Sequence, residues 1–67
     1  MRGPGRTLTR LKEERERSRL TQEELALISG VSRPTIAALE TNPSRRANPE
    51  TVDKLARALK VQPGDLV

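Results

Sequence analysis

The chain has 67 residues, of which 13 are Lys or Arg and nine are Asp or Glu, so its net charge at pH 7 is +4. A chain of this length forms one small domain without room for a second hydrophobic core, and its positive charge predicts attraction to polyanions. The absence of Cys, His, Phe, Tyr and Trp excludes disulfides, thiolate or imidazole metal sites, cysteine or serine–histidine nucleophiles and aromatic stacking on bases.

The first six residues include two Gly, one Pro and two Arg. They offer too little apolar surface to offset the entropy of ordering them, so we predict a flexible basic tail over residues 1–6 and a folded domain over residues 7–67. Arg2 and Arg6 are candidates for a basic arm that binds a polyanion, although a disordered tail is the preferred interpretation.

The sequence gives no indication of a membrane or secretory segment. No stretch approaches the roughly 18 to 20 apolar residues of a membrane span, and the first residues lack the apolar stretch of a secretory signal. We therefore expect a cytoplasmic protein with no membrane partner, no bound metal and no cofactor.

The first predicted helix runs from Thr7 to about Ser18. Leu8, Leu11 and Arg15 share one of its faces, and charged side chains surround them, which is typical of a solvated helix with a thin apolar stripe.

A capping box formed by Thr21 and Glu24 predicts the start of a second helix, which extends through Ser29. Gly30 permits a positive φ and a sharp exit. Ser32 then caps a third helix.

The third helix has Pro34 in its first turn and is expected to end near Thr41–Asn42, because Pro43 disfavours an α conformation at the residue before it. A loop over Asn42–Ala47 follows, carrying adjacent Arg45 and Arg46.

The fourth helix has the clearest amphipathic pattern. Asn48 is its predicted N-cap, Pro49 its first residue, and apolar residues recur from Val52 to Leu59 at helical spacing. Residues Gln62–Val67 are expected to begin one last turn, with Val61 and Leu66 closing the core. Since no strand-like alternation occurs, the predicted fold is all-α with four to five helices.

The tight turn at Gly30 between the second and third helices is typical of a helix-turn-helix, whose second helix enters a major groove about 12 Å wide. Four motifs follow one another along the chain: LTQEELA at Leu20–Ala26, SGVSRPTI at Ser29–Ile36, Leu39–Glu40, and LARALKV at Leu55–Val61. Over about residues 8–67 they resemble the Cro and phage-repressor type of helix-turn-helix domain, often called XRE-like. The resemblance implies a compact lambda-repressor-like fold that binds double-stranded DNA, usually as a homodimer.

The resemblance also implies a set of DNA contacts. Base contacts are expected from Arg33, Thr35 and Ala38. Phosphate contacts are expected from Gln22, Ser32, Arg15, Arg45 and Arg46. Arg33 is the strongest candidate, since a guanidinium binds guanine O6 and N7 together, with a phosphate clamp as its alternative. For Thr35 and Ala38 the alternative is that small residues merely allow close approach.

The resemblance further implies an ion pair between Arg15 and Glu40, which we interpret as structural, orienting Arg15 near the DNA backbone.

Three features depart from the family pattern. Pro34 replaces a polar base-contacting residue, the loop from Thr41 is longer than usual, and Ile28 lies at a typically polar position where it either packs on the first helix or joins an interface.

The function indicated by these features is sequence-specific regulation of transcription. We expect a repressor, because the chain has no room for a ligand or activation domain, with the recognition helices of a dimer about 34 Å apart. Gly64–Val67 is the expected dimer contact, because Leu66 and Val67 have little else to bury against.

Two other function classes are weighed against this one. An antitoxin-like or other protein-interaction module would use Leu27, Ile28 and the carboxyl end as its apolar contact with a protein partner. A hydrolase or nuclease is the least favoured class. Its available acids all fit caps or exposed helix faces: Glu13, Glu14, Glu23, Glu24 and Asp53. We therefore expect no enzymatic activity.

Overall fold

The helices predicted from capping and periodicity are present in the computed structural model, which describes residues 5–42 and 44–67. Its elements are β1 (Arg6–Thr7), α1 (Leu11–Arg17), α2 (Gln22–Ser29), α3 (Arg33–Thr41), β2 (Arg46–Ala47), α4 (Pro49–Leu59) and a final 3₁₀ turn (Pro63–Leu66). This confirms the all-α, lambda-repressor-like fold with a helix-turn-helix at α2 and α3. The expectations for residues 1–4, including Arg2, and for Pro43 lie outside the described residues.

Local hydrogen bonds explain where three helices begin. The Thr21 hydroxyl accepts from the amide of Glu24 at 3.0 Å while the Glu24 carboxylate accepts from the amide of Thr21 at 2.8 Å, which completes the capping box. Asn48 Oδ1 accepts from the amide of Thr51 at 2.8 Å. Ser32 caps α3 more weakly, at 3.4 Å. Each cap satisfies an amide that has no partner inside its helix.

The start of α1 differs from the prediction by four residues. The helix begins at Leu11 rather than Thr7, because Thr7 is extended and pairs with Arg46 across an antiparallel two-strand sheet. Arg6 pairs with Ala47 in the same sheet. Two-residue strands produce no sequence alternation, so this sheet gave no signal.

Two helices end on left-handed residues that are not glycine. Arg19 has φ 60° and Lys60 has φ 58°, whereas Gly30 has the predicted positive φ, 79°. After α4 the amide of Val61 donates to Ala56 at 3.0 Å and that of Lys60 to Arg57 at 3.1 Å. This is the Schellman pattern, which satisfies the last carbonyls of a helix.

The core lies where the four helices and the final 3₁₀ turn meet. Its fully buried side chains are Leu11, Leu25, Ile36, Leu55 and Leu66. The expectation that Leu66 has little to bury against except a second protomer is therefore wrong, because Leu66 packs into its own fold. Val67 remains 39% exposed. None of the helices in the described part of the chain is long and apolar enough to cross a bilayer.

Candidate DNA-binding surface

The turn between α2 and α3 is held by one residue in the core and one local hydrogen bond. Val31 is buried, and its amide donates to the hydroxyl of Ser29 at 3.1 Å. With Gly30 in the left-handed region, the chain changes direction within three residues. The amino end of α3 consequently lies at the surface, with Ser32, Arg33 and Pro34 all exposed.

Arg33 is the first residue of α3, and its side chain is accessible to a ligand. It is exposed, and no ion pair joins it to a carboxylate of the described residues, unlike Arg15, Arg17 and Arg57. The guanidinium therefore keeps its five donors for a partner outside the chain.

The hydroxyl groups at both ends of α3, including that of its N-cap Ser32, form hydrogen bonds within the same segment. Ser32 Oγ lies 2.8 Å from Thr35 Oγ1 and also accepts from the Thr35 amide. Thr41 Oγ1 donates to the carbonyl of Ala37 at 2.8 Å. One of the two hydroxyls of Ser32 and Thr35 donates the bond between them, and the other keeps its O–H for a base edge or a phosphate, since each hydroxyl has one donor and two acceptor positions.

Ala38 is half-buried, as is Ala37, which the sequence-based assignment missed. Both lie on the side of α3 opposite the buried Ile36 and Leu39. The signal that identifies Ala37 is helical spacing, because it lies four residues after Arg33.

Arg15 is placed inside the protein by three hydrogen bonds. Its Nε donates to Glu40 Oε2 at 2.7 Å, its Nη2 to Glu40 Oε1 at 3.0 Å and its Nη1 to the carbonyl of Leu20 at 2.7 Å. The side chain is only 10% exposed. The expected ion pair with Glu40 is present and the hydrogen bond to Glu40 raises the pKa of Arg15 further. A phosphate contact by Arg15 is disfavoured, because three of its five N–H donors have acceptors inside the protein and little of the side chain reaches the surface.

Gln22 belongs to the same network. Its Nε2 donates to Glu40 Oε1 at 3.0 Å, so α1, α2 and the last turn of α3 meet at the Glu40 carboxylate. Burial alone would raise the pKa of Glu40, but the hydrogen bonds from Arg15 and Gln22 and the positive charge of Arg15 hold it below its usual value. Gln22 is half-buried, so part of it still reaches the surface at the start of α2.

Arg45 and Arg46 are both exposed in the segment between α3 and α4. The amide of Arg45 donates to the carbonyl of Asn42 at 3.0 Å, and Arg46 is fixed by the pairing of β2 with β1. Neither forms an ion pair with a carboxylate among residues 5–42 and 44–67, so two positive charges remain in solvent.

The described residues also include one exposed apolar pair. Leu27 is 82% and Ile28 58% exposed on α2. Of the two expectations for Ile28, packing on the first helix is therefore wrong, since a packed side chain would be buried.

Comparison with known proteins supports this arrangement. A family model described as helix-turn-helix matches residues 11–66, and no protein of the curated set matches the chain. Among solved structures, the chain is similar to the restriction-modification controller protein C.AhdI from Aeromonas hydrophila, with 36% identity and a TM-score of 0.78 over 87% of this chain and 86% of that one. The match over most of the chain, together with the exposed amino end of α3, shows that this protein belongs to the helix-turn-helix family of DNA-binding transcription regulators.

Proposed function

We propose that the protein is a sequence-specific regulator that binds double-stranded DNA as a homodimer, with α3 of each protomer in the major groove. The observation that carries this proposal is the exposed guanidinium of Arg33 at the first residue of α3, which forms no ion pair within the part of the chain that the structure describes. A guanidinium in this position binds guanine O6 and N7 with two parallel hydrogen bonds, which discriminates against other bases by about 1–3 kcal/mol.

Phosphate contacts would fix the orientation of α3 in the groove. Gln22 at the start of α2 and Arg45 and Arg46 before α4 are the residues we assign to this role. Ser32 is a weaker candidate, because its hydroxyl already caps α3. Arg15 acts through Glu40, holding α1 against the end of α3, rather than by touching the DNA.

A homodimer places two such helices about 34 Å apart, which matches half-sites separated by one turn of B-DNA. Repression is the simplest outcome, since a dimer bound across a promoter denies other proteins access to it. The similarity to a restriction-modification controller protein is in keeping with a regulatory role of this kind.

Selection of bound duplexes from a random pool tests this proposal, followed by titration of the selected sequence at several salt concentrations. We expect a two-fold symmetric motif, and Arg33→Ala should relax the preference at one base pair in each half-site. Arg33→Lys is the matched control, because it keeps the charge and loses the planar fork. It should retain non-specific affinity and lose part of the preference for guanine, because an ammonium group donates to O6 and N7 without the fixed two-bond geometry. Binding that is equally weak on every sequence would overturn the proposal.

One observation favours a second function, contact with another protein. Leu27 and Ile28 are adjacent and exposed on α2, where they bury nothing in this chain. If Ile28→Glu abolishes regulation in a reporter strain while the affinity for the selected DNA stays unchanged, that second function is supported. An unchanged reporter signal would contradict it.

A further inference from the structure

The two-strand sheet joins the amino-terminal segment to the segment between α3 and α4. Arg6 pairs with Ala47, and Thr7 pairs with Arg46. The two backbones also approach closely at Gly5, where an added Cβ would lie 3.1 Å from the Ala47 carbonyl oxygen and 3.1 Å from the Arg46 Cβ. The sheet therefore fixes the backbone of Arg6 beside that of Arg46.

These strands form one wall of an open cavity of about 320 Å³. Two arginines and a threonine are among the residues that line it: Gly5, Arg6, Thr7, Arg46 and Val67. Both arginines are exposed, so their charges are not covered by the fold. The side chains that line the cavity in the described part of the chain offer hydrogen-bond donors and no carboxylate.

The acid that shares a neighbouring cavity with Arg6 is already paired. Asp53 lines that second cavity together with Arg6, but its carboxylate lies 3.3 Å from the guanidinium of Arg57. Within residues 5–42 and 44–67, no carboxylate forms an ion pair with Arg6 or with Arg46. Two like charges therefore face one cavity, and an anion bound between them would remove their repulsion.

Phosphate has the charge and the acceptors that suit this cavity. A guanidinium binds two phosphate oxygens through parallel N–H···O bonds, and a threonine hydroxyl such as that of Thr7 can add a further donor. We infer that the cavity binds one phosphate group between Arg6 and Arg46. Arg6 thereby becomes a ligand-contacting residue outside the helix-turn-helix.

Two sources of phosphate share this chemistry. In the complex with DNA the group is a backbone phosphate, an assignment that rests on the proposed function, since Arg46 belongs to the segment assigned to phosphate contacts there. A free phosphorylated anion is the other source. Two experiments distinguish them.

The first experiment replaces single phosphates of the selected duplex by methylphosphonate, which is neutral. We expect one position in each half-site where the replacement weakens binding by wild-type protein about 5- to 10-fold. The same replacement should leave binding by Arg6→Gln unchanged, because the contact is already lost, and Arg46→Gln should be insensitive at the same position. Arg57→Gln removes the same charge from an exposed side chain of α4 and should keep the wild-type sensitivity.

The second experiment measures the binding of inorganic phosphate to the protein without DNA. NMR spectra of isotope-labelled protein are recorded during a titration with sodium phosphate, with sodium chloride at equal ionic strength as the reference. We expect saturable shifts of the Gly5, Thr7 and Arg46 amide resonances in wild type and in Arg57→Gln. In Arg6→Gln these shifts should be lost.

The combined results assign the source of the phosphate. A duplex phosphate coupled to Arg6, without saturable shifts, assigns the cavity to DNA alone, and saturable shifts without a coupled phosphate assign it to a free anion. If neither is found while the random pool still yields a preferred sequence, the inference is wrong and the proposed function stands. If the pool yields no preferred sequence, the proposed function fails and the phosphate titration alone decides this inference.

Discussion

Arg15 and Glu40, 25 residues apart in the sequence, are joined by two hydrogen bonds of 2.7 and 3.0 Å. Their side chains are 10% and 2% exposed, and the remaining Nη1 donates to a backbone carbonyl. The pair links α1 to the last turn of α3, so the orientation of the helix that carries Arg33 depends on a contact at its opposite end.

We expect Arg15→Leu to lower the free energy of unfolding by about 3–5 kcal/mol, because it leaves the Glu40 carboxylate buried without its cation. Urea denaturation followed by circular dichroism measures the change. The control is Arg57→Leu, which breaks an exposed pair with Asp53 of 3.3 Å and should cost less than about 1 kcal/mol. Equal losses in the two variants would contradict the prediction. Absence of a cooperative transition in Arg15→Leu alone would agree with it.

The pKa of Glu40 predicts a pH dependence. Because this pKa lies below its ordinary value of 4.5 in the folded chain, the folded state binds a proton less readily than the unfolded state. The stabilisation is fully present above pH 4.5 and is lost as the pH falls through the folded pKa. We expect the stability advantage of wild type over Glu40→Gln to shrink as the pH is lowered from about 5. The urea midpoints of both proteins, measured at each pH, give this difference. Parallel midpoint curves for the two proteins would refute this.

The left-handed residues at two helix ends predict stabilising substitutions. A non-glycine residue in this region costs about 1–2 kcal/mol, so Lys60→Gly and Arg19→Gly should each raise stability by about 0.5–1 kcal/mol. For a domain of this size that is a rise in Tm of several degrees, measured by thermal denaturation.

Two glycines supply controls for that prediction. A Cβ added at Gly30 or at Gly64 would meet no atom within 4 Å, but only Gly30 has a positive φ. Gly30→Ala should therefore lower the Tm through backbone strain alone, and Gly64→Ala should not. If Gly30→Ala is neutral, the strain argument for Arg19 and Lys60 fails as well.

The assignment of Arg45 and Arg46 predicts a change in salt dependence. Each phosphate contact releases counterions and contributes about 0.9 to the slope of log affinity against log salt. Arg45→Ala and Arg46→Ala should each reduce the slope by about this amount without altering the selected sequence. Fluorescence anisotropy at four salt concentrations measures it. Arg57→Ala on α4, where Asp53 already pairs the charge, should leave the slope unchanged.

The capped helix starts were predictable because their causes are local. Thr21, Ser32 and Asn48 each accept a hydrogen bond from an amide three residues later. Such pairs require no knowledge of the rest of the fold, which is why the starts of α2, α3 and α4 agree with the sequence-based prediction. The beginning of α1 does not agree, because Thr7 pairs with Arg46, a residue 39 positions later in the chain.

The candidate site was partly predictable. The exposure of Arg33 follows from helical periodicity and is seen in the structure. The internal use of the Thr35 hydroxyl does not follow from it, because a threonine near a helix start has several partners in reach. The burial of Leu66 was predicted from the apolar residues of the last turn, and it contradicts the separate expectation that Leu66 contacts a second protomer.

The sequence by itself determined the helices, their caps and the exposed arginine of α3, because hydrogen bonds and apolar spacing within one helical turn decide them. Only the tertiary structure decided that the Arg15 side chain is nearly buried against Glu40 and that Thr7 pairs with Arg46 instead of starting α1. Those outcomes depend on hydrogen-bond partners that are distant in sequence and come together only when the helices pack.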